Sequence, residues 1–117
     1  MKVLVVEDDA DTRTIFVRWL VQSGYEVSET ATGEGALEVL AREHFDLILL
    51  DLFLPGIGGM EVIRQVHGDP AKRDTQIVMA SISDVDDSDT DAPSIEGWLV
   101  KPFSKSTLLE TIEGLSR

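Results

Sequence analysis

The chain has 117 residues and no cysteine, so it fits one domain over 1–117 and excludes both a disulfide framework and thiolate metal binding. Its formal net charge of −12 opposes direct contact with nucleic acid or an anionic membrane, because both recruit Lys and Arg. No apolar run reaches the ~18 residues of a membrane span, and MKVLVVEDD lacks the basic start and small-residue cleavage site of a secretion signal; a cytoplasmic domain is expected.

In chain order, Lys2–Val6 is a continuous apolar run, which predicts a strand buried on both faces. Thr12–Gln22 places Ile15, Phe16, Trp19 and Leu20 at helical spacing, and Ser23-Gly24 supplies a stop. Tyr25–Glu29 alternates as a strand does. Thr32 opens TGEGALEVLAREH, where Ala36, Leu37, Val39 and Leu40 form a second helical stripe. FDLILL, Phe45–Leu50, is a third strand that runs directly into Asp51. After LFLPGIGG, a short helix is predicted over Met60–His67, then strands at Gln76–Ala80 and Trp98–Val100. Ser104 is placed to cap a last helix bearing Leu108, Leu109, Ile112 and Leu115. Strands alternating with helices imply an α/β fold whose parallel sheet is covered on both faces, and such sheets bind ligands at the carboxyl ends of their strands.

The residues at those ends are Glu7, Asp8 and Asp9 after the first strand, Asp51 after the third, Ser81 after the fourth, and Lys101-Pro102 after the fifth. Asp9 alone reads as a helix cap. Asp51 is different, since a carboxylate closing a buried strand needs a compensating cation. Glu7, Asp8 and Asp51 together offer hard oxygen ligands that suit Mg²⁺, with Mn²⁺ as the alternative. A carboxylate oxygen held there can attack a phosphoryl group, and the ammonium of Lys101 and hydroxyl of Ser81 can neutralise the phosphoryl oxygens.

VVEDD, LLDLFLPGIGG, VMAS and WLVKPF, in this order and spacing, resemble the receiver domain of two-component response regulators, over essentially the whole chain apart from residues 82–94. The resemblance implies a flavodoxin-like (βα)5 fold, a doubly wound parallel sheet of strand order 2-1-3-4-5. It implies that Asp51 is phosphorylated by a partner histidine kinase or histidine phosphotransfer protein. Glu7, Asp8, Asp51 and the backbone carbonyl of Phe53 would hold the metal, and Ser81 and Lys101 would bind the phosphoryl group. It further implies a cis bond at Lys101-Pro102, and it puts Trp98 at the switch aromatic; a fixed core residue is the equal alternative there. Such a domain is a signalling module rather than an enzyme, and its own phosphorylation and dephosphorylation are its chemistry. The alternative is a pseudo-receiver, a protein-binding module that does not switch. A dehalogenase-type phosphatase is excluded, because Asp51-Leu52-Phe53 lacks the second acid of Asp-x-Asp.

Four departures from the family pattern stand out. Gly58 replaces a frequent Asp before Gly59, which removes a helix cap. Phe53 is bulky and apolar beside the acceptor, a feature expected to screen the phosphoryl group from water. With the last helix reaching almost to Arg117, no output domain is expected within these residues, as for a single-domain regulator or one excised from a larger protein. Finally, SDVDDSDTDAPS carries Asp84, Asp86, Asp87, Asp89 and Asp91 where the family has its fourth helix. With no apolar stripe and repelling acids, a short, irregular or absent helix is expected. A calcium loop fails in both registers: from Asp84 the required Gly is Asp89 and the closing Glu is Ile95, and from Asp87 they are Ala92 and Trp98. Apolar surface bared by a missing helix would suit a partner protein or a homodimer. His44 and His67 read as structural or surface residues near helix ends, and the methionines as core packing.

Overall fold

The computed structural model describes residues 1–82 and 95–115. Strands β1 (Lys2–Val6), β2 (Glu26–Thr30), β3 (Leu47–Asp51), β4 (Gln76–Ser81) and β5 (Gly97–Val100) form one sheet in the order β2-β1-β3-β4-β5. Every neighbouring pair is parallel, with Val3 opposite Leu47, Asp51 opposite Ala80 and Ser81 opposite Val100. Helices α1 (Ala10–Gln22), α2 (Gly33–Arg42), α3 (Gly59–His67) and α4 (Lys105–Leu115) connect or follow the strands. This is the parallel sheet that the alternating pattern implied, in the doubly wound, flavodoxin-like order that the resemblance implied. The expectation about the helix over 82–94 concerns residues 83–94, which lie outside the described residues.

Period-two alternation within the buried strands divides the core in two. Leu4, Val6, Ile48, Leu50, Ile77 and Met79 face α2 and α3, against Ala36, Leu40, Val62, Ile63 and Val66. Val3, Val5, Leu47, Leu49, Val78 and Ala80 face α1 and α4, against Phe16, Leu20, Leu108 and Ile112. β1 and β3 are apolar without interruption because both of their faces are covered. Each fully buried Leu, Ile or Val contributes roughly 1.5–3 kcal/mol, so the centre of the sheet is its firmest part. β2 is an edge strand and only half-buried, as its polar sequence EVSET allows.

Local chemistry sets the boundaries. Asp9 caps α1, accepting from the Thr12 amide at 2.9 Å, and so begins the helix two residues before the apolar stripe suggests. Thr32 caps α2 by accepting from the Gly35 amide at 2.9 Å, and Ser104 Oγ accepts from the Thr107 amide at 3.1 Å at the start of α4. Gly24, at φ +92°, reverses the chain after α1. Gly58 precedes α3 with no side-chain cap, as its sequence implied. Phe45 is buried but lies ahead of the β3 ladder. The sequence reading missed a 3-10 turn at Pro70–Lys72, where Asp69 accepts from the Ala71 amide at 3.0 Å.

Candidate functional site

β1 continues past its last residue: the Glu7 amide donates to Thr30 O at 3.1 Å, which fixes Glu7 at the carboxyl edge of the sheet. β3 delivers Asp51 to the same edge, buried at 6% exposure, and Glu7 is buried at 1%. Asp8 stands beside them in solvent, and one carboxylate oxygen of each of Glu7, Asp8 and Asp51 lies within 4.8 Å of the others. The cis bond between Lys101 and Pro102 follows β5, and the Lys101 amide donates to Ser81 O at 2.7 Å. The Lys101 ammonium is thereby brought against Glu7 Oε1, and it lies 3.3 Å from Asp51 Oδ2.

Both oxygens of Asp51 are engaged, because the Phe53 amide donates to Oδ1 at 3.0 Å. Glu7 Oε2 accepts from the Asp9 amide at 3.1 Å. Burial pushes the Glu7 carboxyl above the ordinary carboxylate range and the charge on Asp51 pushes the same way, against the hydrogen bonds from Lys101 and Asp9. Burial pulls Lys101 down, but its hydrogen bond to Glu7 and the charges of Asp51 and Glu7 outweigh that, and the net shift is upward. Lys101 is therefore held as an ammonium.

The charge count tests whether a metal fits. Three carboxylates less one ammonium leave two negative charges (−3 + 1 = −2), the complement of one divalent cation. Two buried acids and one exposed acid provide oxygen ligands on one side and open the other side to water, which is how Mg²⁺ is commonly bound.

The structure thus brings together Glu7, Asp8, Asp51 and Lys101, and it places Ser81 next to them, buried at the end of β4. Trp98 does not belong to the core. β5 is an edge strand, and Trp98 sits opposite Met79 on it with 36% of its surface exposed, beside the exposed Val100. Phe53 projects a ring that is 56% exposed. Of the remaining chemistry-bearing side chains, His44 pairs with Asp74 at 3.0 Å on the surface, and His67 ends α3 in solvent. Met79 and Met60 pack in or against the core, whereas Met1 is exposed.

Sequence reasoning missed one residue near the site and left the reason for another unstated. Arg13, one turn into α1, donates to Glu7 O at 2.9 Å and to Glu29 Oε1 at 3.0 Å, tying the β1–α1 turn to β2. Its only sequence signal is a cation soon after three acids. Gly59 is the other: a Cβ there would lie 2.5 Å from Asp51 O, so α3 can start this close to the acceptor only at a glycine.

Comparisons with known proteins bear on the family and the fold. The family model for the response regulator receiver domain matches residues 3–113. A probable transcriptional regulator, ycf27 of Porphyridium aerugineum, is 36% identical over 99% of the chain and 48% of its own length. The chain spans about half the length of the curated relatives it matches. Among solved structures, the chemotaxis response regulator CheY4 of Vibrio cholerae superposes with a TM-score of 0.90 at 32% identity, covering 97% of each chain. The response regulator TrrA of Thermotoga maritima, determined in complex with Mg(2+)-BeF, gives a TM-score of 0.87 at 30% identity, again over 97% of each chain.

Proposed function

Because this chain belongs to the response regulator receiver domain family, we propose that Asp51 is a phosphoacceptor that takes its phosphoryl group from a histidine kinase or histidine phosphotransfer protein. The observation that carries this reading is the setting of Asp51. It is a buried carboxylate at a strand end, with Oδ1 held by the Phe53 amide and Oδ2 facing the Lys101 ammonium, and with Glu7 and Asp8 in reach.

In the reaction, a carboxylate oxygen of Asp51 forms a bond to phosphorus as the bond from phosphorus to the donor imidazole nitrogen breaks. The electron pair of that bond stays on the imidazole, which takes a proton from solvent. Glu7, Asp8, Asp51 and the Phe53 carbonyl would hold Mg²⁺, which when bound neutralises charge on the phosphoryl oxygens. Lys101 pairs with a phosphoryl oxygen in place of a carboxylate, and the Ser81 hydroxyl donates to another. Trp98 and Val100, exposed on β5, belong to the surface that changes with phosphorylation. Phe53 limits the approach of water to the acyl phosphate. The domain signals through protein contact and has no substrate beyond its own phosphoryl group.

Incubation with Mg²⁺ and acetyl phosphate tests this, with intact mass and Trp fluorescence as readouts and Asp51→Asn as control. The wild type is expected to gain about 80 Da, the mass of one phosphoryl group, and the variant nothing. With neither an adduct nor a fluorescence change, the chain would instead be a module that binds proteins without switching.

A further inference from the structure

We propose that Glu34, in the first turn of α2, is a positioning residue for the loop that presents Phe53 to Asp51, an inference that rests on the phosphoacceptor reading. Glu34 does not touch the acid cluster. Its Oε1 accepts from the Ile57 amide at 2.8 Å, across 23 positions of sequence. The carboxylate lies against Gly56 so closely that a Cβ there would meet Oε1 at 2.8 Å and Oε2 at 3.0 Å.

Gly56 adopts φ +73°, a left-handed conformation that a glycine takes without strain, and it leads directly into the Ile57 amide that faces α2. The interlock continues on the other side of Ile57: a Cβ on Gly33 would fall 2.6 Å from Ile57 Cγ1 and 2.8 Å from Ile57 O. Gly33 and Glu34 of α2 are therefore both fitted against Ile57, Gly33 through close packing and Glu34 through a hydrogen bond, and Glu34 also lies against Gly56.

The loop between β3 and α3 consequently has two fixed points. The inner one is the Gly59 amide, which donates to Leu52 O at 3.1 Å. The outer one is the Ile57–Glu34 bond. Phe53 lies between Leu52 of the first and Ile57 of the second; its amide holds Asp51 Oδ1 and its carbonyl is the expected backbone ligand. Releasing the outer point lets the Phe53 peptide tilt relative to Asp51 while leaving every carboxylate and Lys101 in place. A carboxylate in a helix's first turn is favourable without such a bond, so helix stability alone does not call for this contact.

The test compares Glu34→Ala, Glu34→Gln and Glu38→Ala, the last an exposed acid elsewhere on α2. Mg²⁺ affinity is read by titration of the Phe53 and Ile57 amide resonances, and phosphorylation by the rate of adduct formation with acetyl phosphate. Glu34→Ala is expected to weaken Mg²⁺ binding and slow phosphorylation about fivefold each, the equivalent of one net hydrogen bond of about 1 kcal/mol, in a chain that still unfolds in one cooperative transition. Glu34→Gln keeps the acceptor oxygen and is expected to stay within about twofold of the wild type, as is Glu38→Ala. Wild-type values for Glu34→Ala, or a Glu34→Gln variant as impaired as Glu34→Ala, overturn the proposal. If the wild type takes up no phosphoryl group, the phosphoacceptor reading falls, and Mg²⁺ affinity and the Phe53 resonance still decide the role of Glu34.

Discussion

The ammonium of Lys101 lies 3.3 Å from Asp51 Oδ2 and simultaneously pairs with Glu7, so one cation balances two buried acids. Removing it leaves Glu7 and Asp51 facing each other uncompensated. Lys101→Met is expected to destabilise the metal-free protein by about 2 kcal/mol, below the ~3–5 kcal/mol of a fully buried pair because the lysine keeps some solvent contact. Urea denaturation in the presence of a chelator measures the loss, and Mg²⁺ is expected to recover part of it. A metal-free variant as stable as the wild type would show that the pair carries no net stabilisation.

The sign of the pH dependence follows from Glu7. Burial, reinforced by the charge on Asp51, raises its carboxyl pKa in the folded state above the unfolded value. The folded state thus binds that proton more tightly, and ionised Glu7 is a cost at neutral pH that is relieved as pH falls through the raised value. Without metal, Glu7→Gln is expected to exceed the wild type in stability at about pH 7, with a smaller gap at an acidic pH where wild-type Glu7 has taken up its proton. Paired denaturation curves at the two pH values check this. A Glu7→Gln variant less stable at neutral pH would mean that the bond to Lys101 outweighs the burial.

Metal binding is expected to register as stability. At a Mg²⁺ concentration about 100 times its Kd, the folded protein gains about 2.7 kcal/mol by mass action. Asp8 is exposed, so Asp8→Asn leaves metal-free stability within about 0.5 kcal/mol of the wild type while abolishing most of the Mg²⁺ response. Thermal melts with and without Mg²⁺ make the comparison. A full response in Asp8→Asn would remove Asp8 from the ligand set.

Two adjacent glycines are expected to respond in opposite directions. Gly58 has ordinary extended angles of φ −75° and ψ 171°, and an added Cβ would come no nearer than 3.8 Å to Leu52 O. Gly58→Ser supplies the missing cap of α3 and is expected to stabilise by a few tenths of a kcal/mol. Gly59→Ala forces a methyl against Asp51 O and is expected to cost about 1–3 kcal/mol. Chemical denaturation of both variants resolves the signs, and a Gly59→Ala variant of wild-type stability would show that α3 can shift away from β3.

Most of the acid cluster was legible because its logic is local. An acid after an uninterrupted apolar run marks a buried strand that ends in charge, and Glu7 and Asp51 both follow such runs. Asp9 likewise announced itself as a cap. What stayed hidden depends on neighbours distant in sequence. Trp98 could be read as core or as switch because its exposure follows from β5 being the edge of the sheet, which its own three or four residues do not reveal. Arg13 and Glu34 carry no motif, and their partners, Glu29 and Ile57, lie 16 and 23 positions away. The turn at Pro70–Lys72 did carry a signal, an Asp cap followed by proline, but it is too short to show in an apolar pattern.

The contact between Lys101 and Glu7 spans 94 positions, and that between Lys101 and Asp51 spans 50. During synthesis both acids leave the ribosome well before their counterion. The three strands β2, β1 and β3 can pair while Lys101 is still untranslated, and through that interval Glu7 and Asp51 lack the ammonium that balances them in the finished fold. A free divalent cation can offset them in the meantime, so the ion that suits the finished site also suits its half-built precursor, and the last strand to arrive completes the balance.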